Sequence, residues 1–337
     1  MSSQPSTARS APTLEAVAEL AGVSRSTVSR VVNGSPKVAP EVRTAVQRAI
    51  EELGYVPNHA ARSLASRRSH SIALIIPEDT RRFFTDPYFA DVVEGVASHL
   101  ATTPYTLTLL VETESDAGRT TRYLQSGSVD GALIVSTHRA DRSYDGVNVP
   151  VVFSGRPAVP HEGAIVVDID NVAAGRMATE VLIRRGRRRI ATIAGPQDMG
   201  AGQDRLNGWR AAIAAAGLEP GAVEFGDFTP VSGAAAVRRL LDAGADFDGL
   251  FVASAQMAHA ALEVLAERGI AVPDAVSVTS VDNDRFAETA QPPLTTIEQP
   301  TKAHGAKIAE VLVGVIEGRP VERLTVLPTR LVERSSV

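Results

Sequence analysis

Six polar side chains in a seven-residue run, Ser24, Arg25, Ser26, Thr27, Ser29 and Arg30, carry the chain's most specific local chemistry. An arginine guanidinium offers parallel N–H donors in a rigid plane, a geometry that matches the paired acceptors on a guanine edge and that lysine cannot impose. On a helix entering a major groove, the first turn meets the base edges. Arg25 and Ser26 are therefore expected to face bases, Thr27 and Ser29 to lie nearer phosphate, and Arg30, one turn beyond Ser26, to reach a guanine. The Ser24 hydroxyl is suited to cap this helix. Thr13, which opens the stretch, and Asn33, just beyond the run, belong to the same candidate DNA-contacting set.

The elements that must hold these groups are readable from periodicity. Leu14, Val17, Ala18 and Leu20 recur at helical spacing, Ala21-Gly22 interrupts them, and Val23, Val28 and Val31 resume the pattern in a second short helix. A third helix is expected from about Pro40 to Leu53, with Val42, Val46, Ala49, Ile50 and Leu53 closing a small core; proline suits its first position, although Ala39 is a poor cap. Three short amphipathic helices need not bind DNA, but here charge supports that reading. Residues 1–70 hold nine Lys/Arg against five acids, a balance of +4, whereas the remainder of the chain is at −9. A cationic segment on an anionic body is what a phosphate backbone selects.

The run AGVSRSTVSRVVNG, followed by LGYVPNHAARSL, resembles the DNA-binding end of the lactose-repressor/galactose-repressor family of bacterial transcription regulators, and the resemblance extends over almost the whole chain after Ala11. It implies that Pro57 to Ser66 contains a hinge helix ordered on operator DNA, with Asn58 at its start, Arg62 toward the DNA and Leu64 inserted between base pairs in the minor groove. An apolar wedge unstacks a flexible step and bends the duplex; a helix this short is unstable alone in water, so its folding can be coupled to binding. The alternative is a plain linker.

With 337 residues, 44% of them apolar, the chain can bury more than one core. It contains no cysteine, which excludes disulfides and thiol chemistry. MSSQPSTARSAPT has no apolar stretch and reads as a disordered tail, and no run approaches 18 uninterrupted apolar residues, so no membrane partner and a cytoplasmic location are expected. After Arg68, compact apolar runs alternate with helical patterns: strands at 71–76, 106–111, 131–136, 151–153, 189–194, 249–253 and 277–281, and helices at 87–100, 119–125, 172–183, 205–216, 233–243, 257–268 and 301–317. Such runs indicate parallel sheets covered on both faces. The fold class is thus α/β, a helix-turn-helix domain followed by a two-lobe, periplasmic-binding-protein-like body. The expected division is a tail at 1–11, a DNA-binding domain at 12–57, a hinge at 58–69, a first lobe at 70–168 with 299–322, and a second at 169–298 with 323–337. The resemblance implies three crossings between lobes, the last strand, at 324–327, falling in the second.

Ligands in such bodies sit at the carboxyl ends of strands. The resemblance implies that Arg205, in RLNGW at a helix start, binds effector oxygens, that Asp282, directly after a strand, accepts from effector hydroxyls, and that Phe228 stacks on a sugar ring. Ser254 and Asp168 complete the effector set; Ala255 stands where the family commonly has an acid. Alternatives remain for each: Arg205 pairing with Asp198 or Asp204, Asp282 capping the loop that follows, Phe228 in a lobe core, and Asp168 with Asp170 capping the next helix. Trp209 is expected to pack in a core.

HExxH, GxSxG and GxxxxGK[ST] are absent, and the seven histidines show no metal-ligand spacing. No enzyme and no cofactor are expected. The combined reading is a homodimeric, effector-responsive repressor of sugar-utilisation genes binding a palindromic operator. VVDIDN, RRIATIAGPQDM and GDFT look most like the family's actinobacterial regulators of oligosaccharide and β-glucoside use, with cellobiose the first candidate effector. A purine or other small metabolite is the rival ligand class, and a sugar-binding protein without DNA binding the rival function.

Overall fold

The computed structural model describes residues 12–32, 35–55, 68–112, 117–141, 144 and 146–337. The tail at 1–11, Asn33, and the hinge residues Asn58, Arg62 and Leu64 lie outside the described residues. The chain divides into two compact units, 1–69 and 70–337.

The first unit has α1 at Leu14–Leu20, α2 at Arg25–Val32 and α3 at Pro40–Leu53. Thr13 caps α1 by accepting from the Ala16 amide at 3.3 Å. Ser24 does the same for α2, its Oγ accepting from the Thr27 amide at 3.2 Å. α3 starts on Pro40 with no side-chain cap and ends on Gly54 at φ 60°, where a left-handed residue closes the last turn. Val17, Ala18, Val28, Val46 and Ala49 meet with Tyr55 in the core. Leu20, on the periodic pattern of α1, is instead 46% exposed.

The second unit contains two six-stranded sheets. The first is built from β1 (Ser71–Ile76), β2 (Thr106–Val111), β3 (Gly131–Val135), β4 (Val151–Ser154), β5 (Ile165–Ile169) and β11 (Leu324–Leu327), in the order β11-β5-β4-β3-β1-β2 and parallel throughout. Alternation along a strand sends side chains to opposite faces. Ile72, Leu74 and Ile76 join α5 (Pro87–Leu100) and α12 (Thr301–Ile316), while Ala73 and Ile75 join the core on the other face with Leu124 of α6 (Ala117–Gln125). Short α4 (Thr80–Thr85) precedes α5.

The second sheet comprises β6 (Ile190–Ala194), β7 (Val223–Phe225), β8 (Gly249–Val252), β9 (Ser277–Val281), β10 (Thr295–Glu298) and β12 (Arg330–Val332), in the order β12-β10-β9-β8-β6-β7. Only the β10–β12 pair among these is antiparallel. Its faces are covered by α7 (Asn171–Arg184) and α8 (Gly200–Ala215) on one side and by α9 (Pro230–Asp242) and α10 (Ala255–Glu267) on the other. Trp209 is buried in the α7–α8 core. Short α11 (Arg285–Thr289) follows β9.

Both lobes contain helices packed in backbone contact. A Cβ on Gly175 of α7 would meet the Arg205 carbonyl oxygen at 2.2 Å, and one on Gly208 of α8 would meet that of Val172 at 2.2 Å. In the first lobe, Gly95 and Gly305 bring α5 and α12 equally close.

The chain crosses between lobes after β5, after β10 and after β11, three times as the resemblance implied. The assignment of 324–327 to the second lobe is corrected: β11 pairs in parallel with β5, Leu324 beside Val166, and extends the first sheet. Only β12 returns to the second. The cause lies in β5, a strand not among those expected from the sequence, without which the sheet edge that β11 fills is not visible.

Candidate functional site

In the helix-turn-helix unit, Arg25, Ser26 and Arg30 are exposed and Thr27 and Ser29 are partly buried. Arg25 is not idle: its Nε lies 3.1 Å from Oε1 of Glu15 on α1. The Ser24 Oγ also lies 2.8 Å from Ser26 Oγ and 2.9 Å from Thr27 Oγ1, so the first-turn hydroxyls are held in one cluster. Arg30 has no ion pair among the described residues.

In the body, a cleft of about 370 Å³ is lined by residues of both lobes, including Arg205, Phe228, Ser254, Asp282 and Asp168. That volume lies within the range of small-molecule sites. The five residues come from the carboxyl ends of β5, β8 and β9 and from α8 and the loop after β7.

Arg205 is only 5% exposed. It sits in the second turn of α8, not at its start, because the helix begins at Gly200. Its Nε donates to Asn171 Oδ1 at 3.0 Å and its Nη1 to the Ala253 carbonyl at 2.7 Å. Neither Asp198 nor Asp204 is its partner: Asp204 accepts from Arg156 Nη2 at 2.8 Å and Nε at 3.1 Å, and Asp198 meets His138. The guanidinium carbon lies 5.6 Å from the centre of the Phe228 ring, a cation–π contact. Gly195 makes room for that ring, since a Cβ there would fall 2.4 Å from it.

Asp168 is buried, accepting from the Arg156 amide at 2.8 Å and from Asn171 Nδ2 at 3.0 Å. Burial raises its carboxyl above the usual range despite these bonds. Helix α7 is capped by Asp170, which accepts from Ala173, and Asp168 lines the cleft. Ser254 lines the cleft but also caps α10, accepting from the Met257 amide at 3.4 Å. Asp282 accepts from Gln299 Nε2, and its amide bonds the Ile297 carbonyl.

Four non-glycine residues among those described have positive φ, and Ser136 (64°), Phe228 (72°) and Asp282 (82°) of these line the cleft. Such conformations are costly for a side chain with a Cβ and collect where a site must aim its groups.

Several cleft residues were not foreseen. Asp86, capping α5, is raised by burial, and Asp284, capping α11, is pushed up to about 7 by burial and then by the charge of Asp282. Tyr88 Oη, Ser154 Oγ and His304 Nε2 form a chain with steps of 3.4 and 3.1 Å. Burial pushes the tyrosine up to about 12 and His304 down to about 4, so the imidazole is neutral. A helix-capping aspartate before Pro87 is a sequence signal for Asp86; nothing local marks Ser154 and His304, which lie 150 positions apart.

No group of His, Asp and Glu able to hold a metal occurs among the described residues, and no described helix is long and apolar enough to cross a membrane. A helix-turn-helix unit joined to a two-lobe body with a ligand-sized cleft defines a class of ligand-responsive regulators, and comparison with known proteins agrees. Residues 13–58 match "Bacterial regulatory proteins, lacI family" and residues 179–337 match "Periplasmic binding protein-like domain". The chain belongs to the lacI family, whose members here are transcription regulators and not enzymes. It is 48% identical to the HTH-type transcriptional regulator CelR of Thermobifida fusca over 97% of this chain and 99% of that protein. It is 34% identical to the ribose operon repressor of Escherichia coli K12, over 96% and 99%. A solved structure described as a transcriptional regulator CelR–cellobiose complex matches with a TM-score of 0.77 and 46% identity, covering 97% of this chain and all of that one. A lac repressor dimer bound to operator and an anti-inducer matches with a TM-score of 0.85 and 28% identity, over 97% and 99%.

Proposed function

We propose that this regulator is a cytoplasmic repressor that binds an approximately palindromic operator as a homodimer and releases or holds it in response to a neutral gluco-oligosaccharide, cellobiose first, in the interlobe cleft. The observation that carries the ligand class is the convergence of Arg205, Asp282 and Phe228 on one cavity. Buried donors, an acceptor carboxylate and an aromatic face are what vicinal hydroxyls and the apolar side of a pyranose require together. The acids around the cleft, Asp86, Asp168, Asp282 and Asp284, offset the positive charge of Arg82, Arg156, Arg205 and Lys302 in the same lining, which suits a neutral ligand. The relative of 48% identity and the cellobiose complex support the same choice. We assign DNA recognition to 12–57, the hinge to 58–69, and the effector cleft to the lobes 70–168 with 299–327 and 169–298 with 328–337. In the hinge, Leu64 is the minor-groove wedge, with Asn58 and Arg62 beside it; Thr13, Asn33 and the polar face of α2 contact the groove and backbone.

The experiment is calorimetric titration of cellobiose, related glucosides and purines, followed by anisotropy on the protein's own promoter DNA with and without the best ligand. Asp282→Asn should weaken sugar binding by roughly 1–3 kcal/mol and leave effector-free DNA affinity unchanged. Tight purine binding with no response to sugars would reject the effector class.

A further inference from the structure

His138, after β3 in the first lobe, stands between two carboxylates from different lobes. Its Nε2 lies 3.2 Å from Oε1 of Glu78, which follows β1, and its Nδ1 lies 2.8 Å from Oδ2 of Asp198, on the loop between β6 and α8 in the second lobe. We propose that His138 is a proton-dependent clasp that holds the cleft closed, a role that rests on the cleft being the effector site.

The proton requirement follows from the ring's two contacts. A neutral imidazole has one N–H and one lone pair, so it donates to one carboxylate and sets its lone pair against the other. Only the cation donates to both. The acceptors are themselves fixed. Glu78 is buried, its Oε1 also accepts from Ser136 Oγ at 2.5 Å, and its Oε2 pairs with Arg82 Nη1 at 2.9 Å. Asp198 is half exposed and on the other lobe, so it is the partner that leaves when the cleft opens. The groups that act on the ring are Glu78 first, then burial in the opposite sense, then Asp198; Arg82 lies behind Glu78. Together they raise the imidazole to about 9. Arg156 and Asp204 also join the lobes, but through an arginine that stays charged, so that pair closes the cleft without sensing pH.

Opening removes Asp198 from the ring and lowers its proton affinity, so closure takes up a proton when the pH lies between the open-cleft value and about 9. Effector affinity that depends on closure should fall as the pH rises through this window and level off above it. Asp284, pushed up to about 7, gives ligand binding a pH dependence of its own, so the diagnostic is the difference between the wild type and a protein lacking the imidazole.

The test has two arms. In the first, the His138 ring is titrated by NMR in the ligand-free full chain. It should titrate near 9, and Asp198→Asn should lower that value. A ring at the ordinary 6.5, or one indifferent to Asp198→Asn, overturns the clasp whether or not any sugar binds. In the second arm, cellobiose affinity is followed from pH 6 to 10. His138→Gln should weaken it about tenfold at pH 7, a loss sized to one charge-assisted bond in a partly exposed site, and should remove the fall toward pH 9. Equal affinity and equal pH profile in both proteins overturn the clasp. If cellobiose binds neither protein, the effector reading fails, and the interlobe distance from a spin-label pair decides for the clasp: it should lengthen from pH 7 to 10 in wild type and not in His138→Gln, and an unchanged wild-type distance overturns it.

Discussion

Arg205 Nη1 lies 3.9 Å from Asp282 Oδ2, close enough for ionic attraction and too far for a hydrogen bond. The arginine is already anchored through Nε and Nη1, and Asp282 through Gln299, so both present spare bonding capacity to the cleft. A ligand hydroxyl can thus donate to one and accept from the other. Arg205→Lys keeps the charge and loses the planar fork. It should cost about 1–3 kcal/mol of effector binding, read by calorimetry, and lower the melting temperature as well, because Asn171 and the Ala253 carbonyl share a single ammonium in place of the fork. Unaltered binding would place the ligand elsewhere.

Gly175 sets where Arg205 stands. Because an added Cβ would collide with the Arg205 backbone carbonyl, Gly175→Ala must separate α7 from α8. Overpacking of this kind costs roughly 1–3 kcal/mol. The expected outcome in urea unfolding is that loss, accompanied in calorimetry by a drop in effector affinity, although residue 175 touches no ligand. Stability lost with affinity intact would mean that Arg205 is free to readjust.

His304 gives the body an acid-sensitive core. Its folded value of about 4 lies below the ordinary 6.5, so the unfolded chain binds the extra proton between those limits. Its contribution is intact above pH 6.5 and is lost as the pH falls toward 4, by about 3 kcal/mol. Asp284 acts in the opposite sense, since a carboxyl raised to about 7 takes up its proton first in the folded state. Unfolding of wild type and His304→Gln at pH 7.5 and 4.5 separates them: the wild type should lose more stability on acidification than the variant, and equal losses would clear His304.

Glu15 competes with DNA for Arg25. The pair is solvent-exposed on both sides, so it is weak and readily exchanged for a phosphate or base. Glu15→Gln frees the guanidinium and removes a negative charge from the DNA-facing unit. Anisotropy at fixed salt should show severalfold tighter binding to operator and to random DNA alike; weaker operator binding would mean that Glu15 orients Arg25 for readout.

The regular elements of this chain were legible because each carries a local signal, such as the stripe of α3 and the uninterrupted SIALII of β1, and Asp282 was marked by its place directly after a predicted strand. Short elements were not. VEF at 223–225, RLV at 330–332 and TTIE at 295–298 are too brief for periodicity to separate them from loop, and pairing with a neighbour is what makes them strands. The Glu78–His138–Asp198 contacts were equally hidden, since both span 60 positions and no spacing rule connects them. Ser254 lines the cleft as expected of an effector residue and also caps the helix that follows it, a local role that its place before α10 allows.

The late position of β11 and β12 has a consequence for synthesis. Translation delivers the helix-turn-helix unit within the first 55 residues, whereas β11 and β12, one edge strand of each sheet, emerge only at 324–332. Ser336, fully buried, then ties β9 to the start of β10, donating to the Val278 carbonyl and accepting from the Thr295 amide. A ribosome that stalls before this point leaves a nascent chain able to form its DNA-reading helices while neither wall of the cleft is complete.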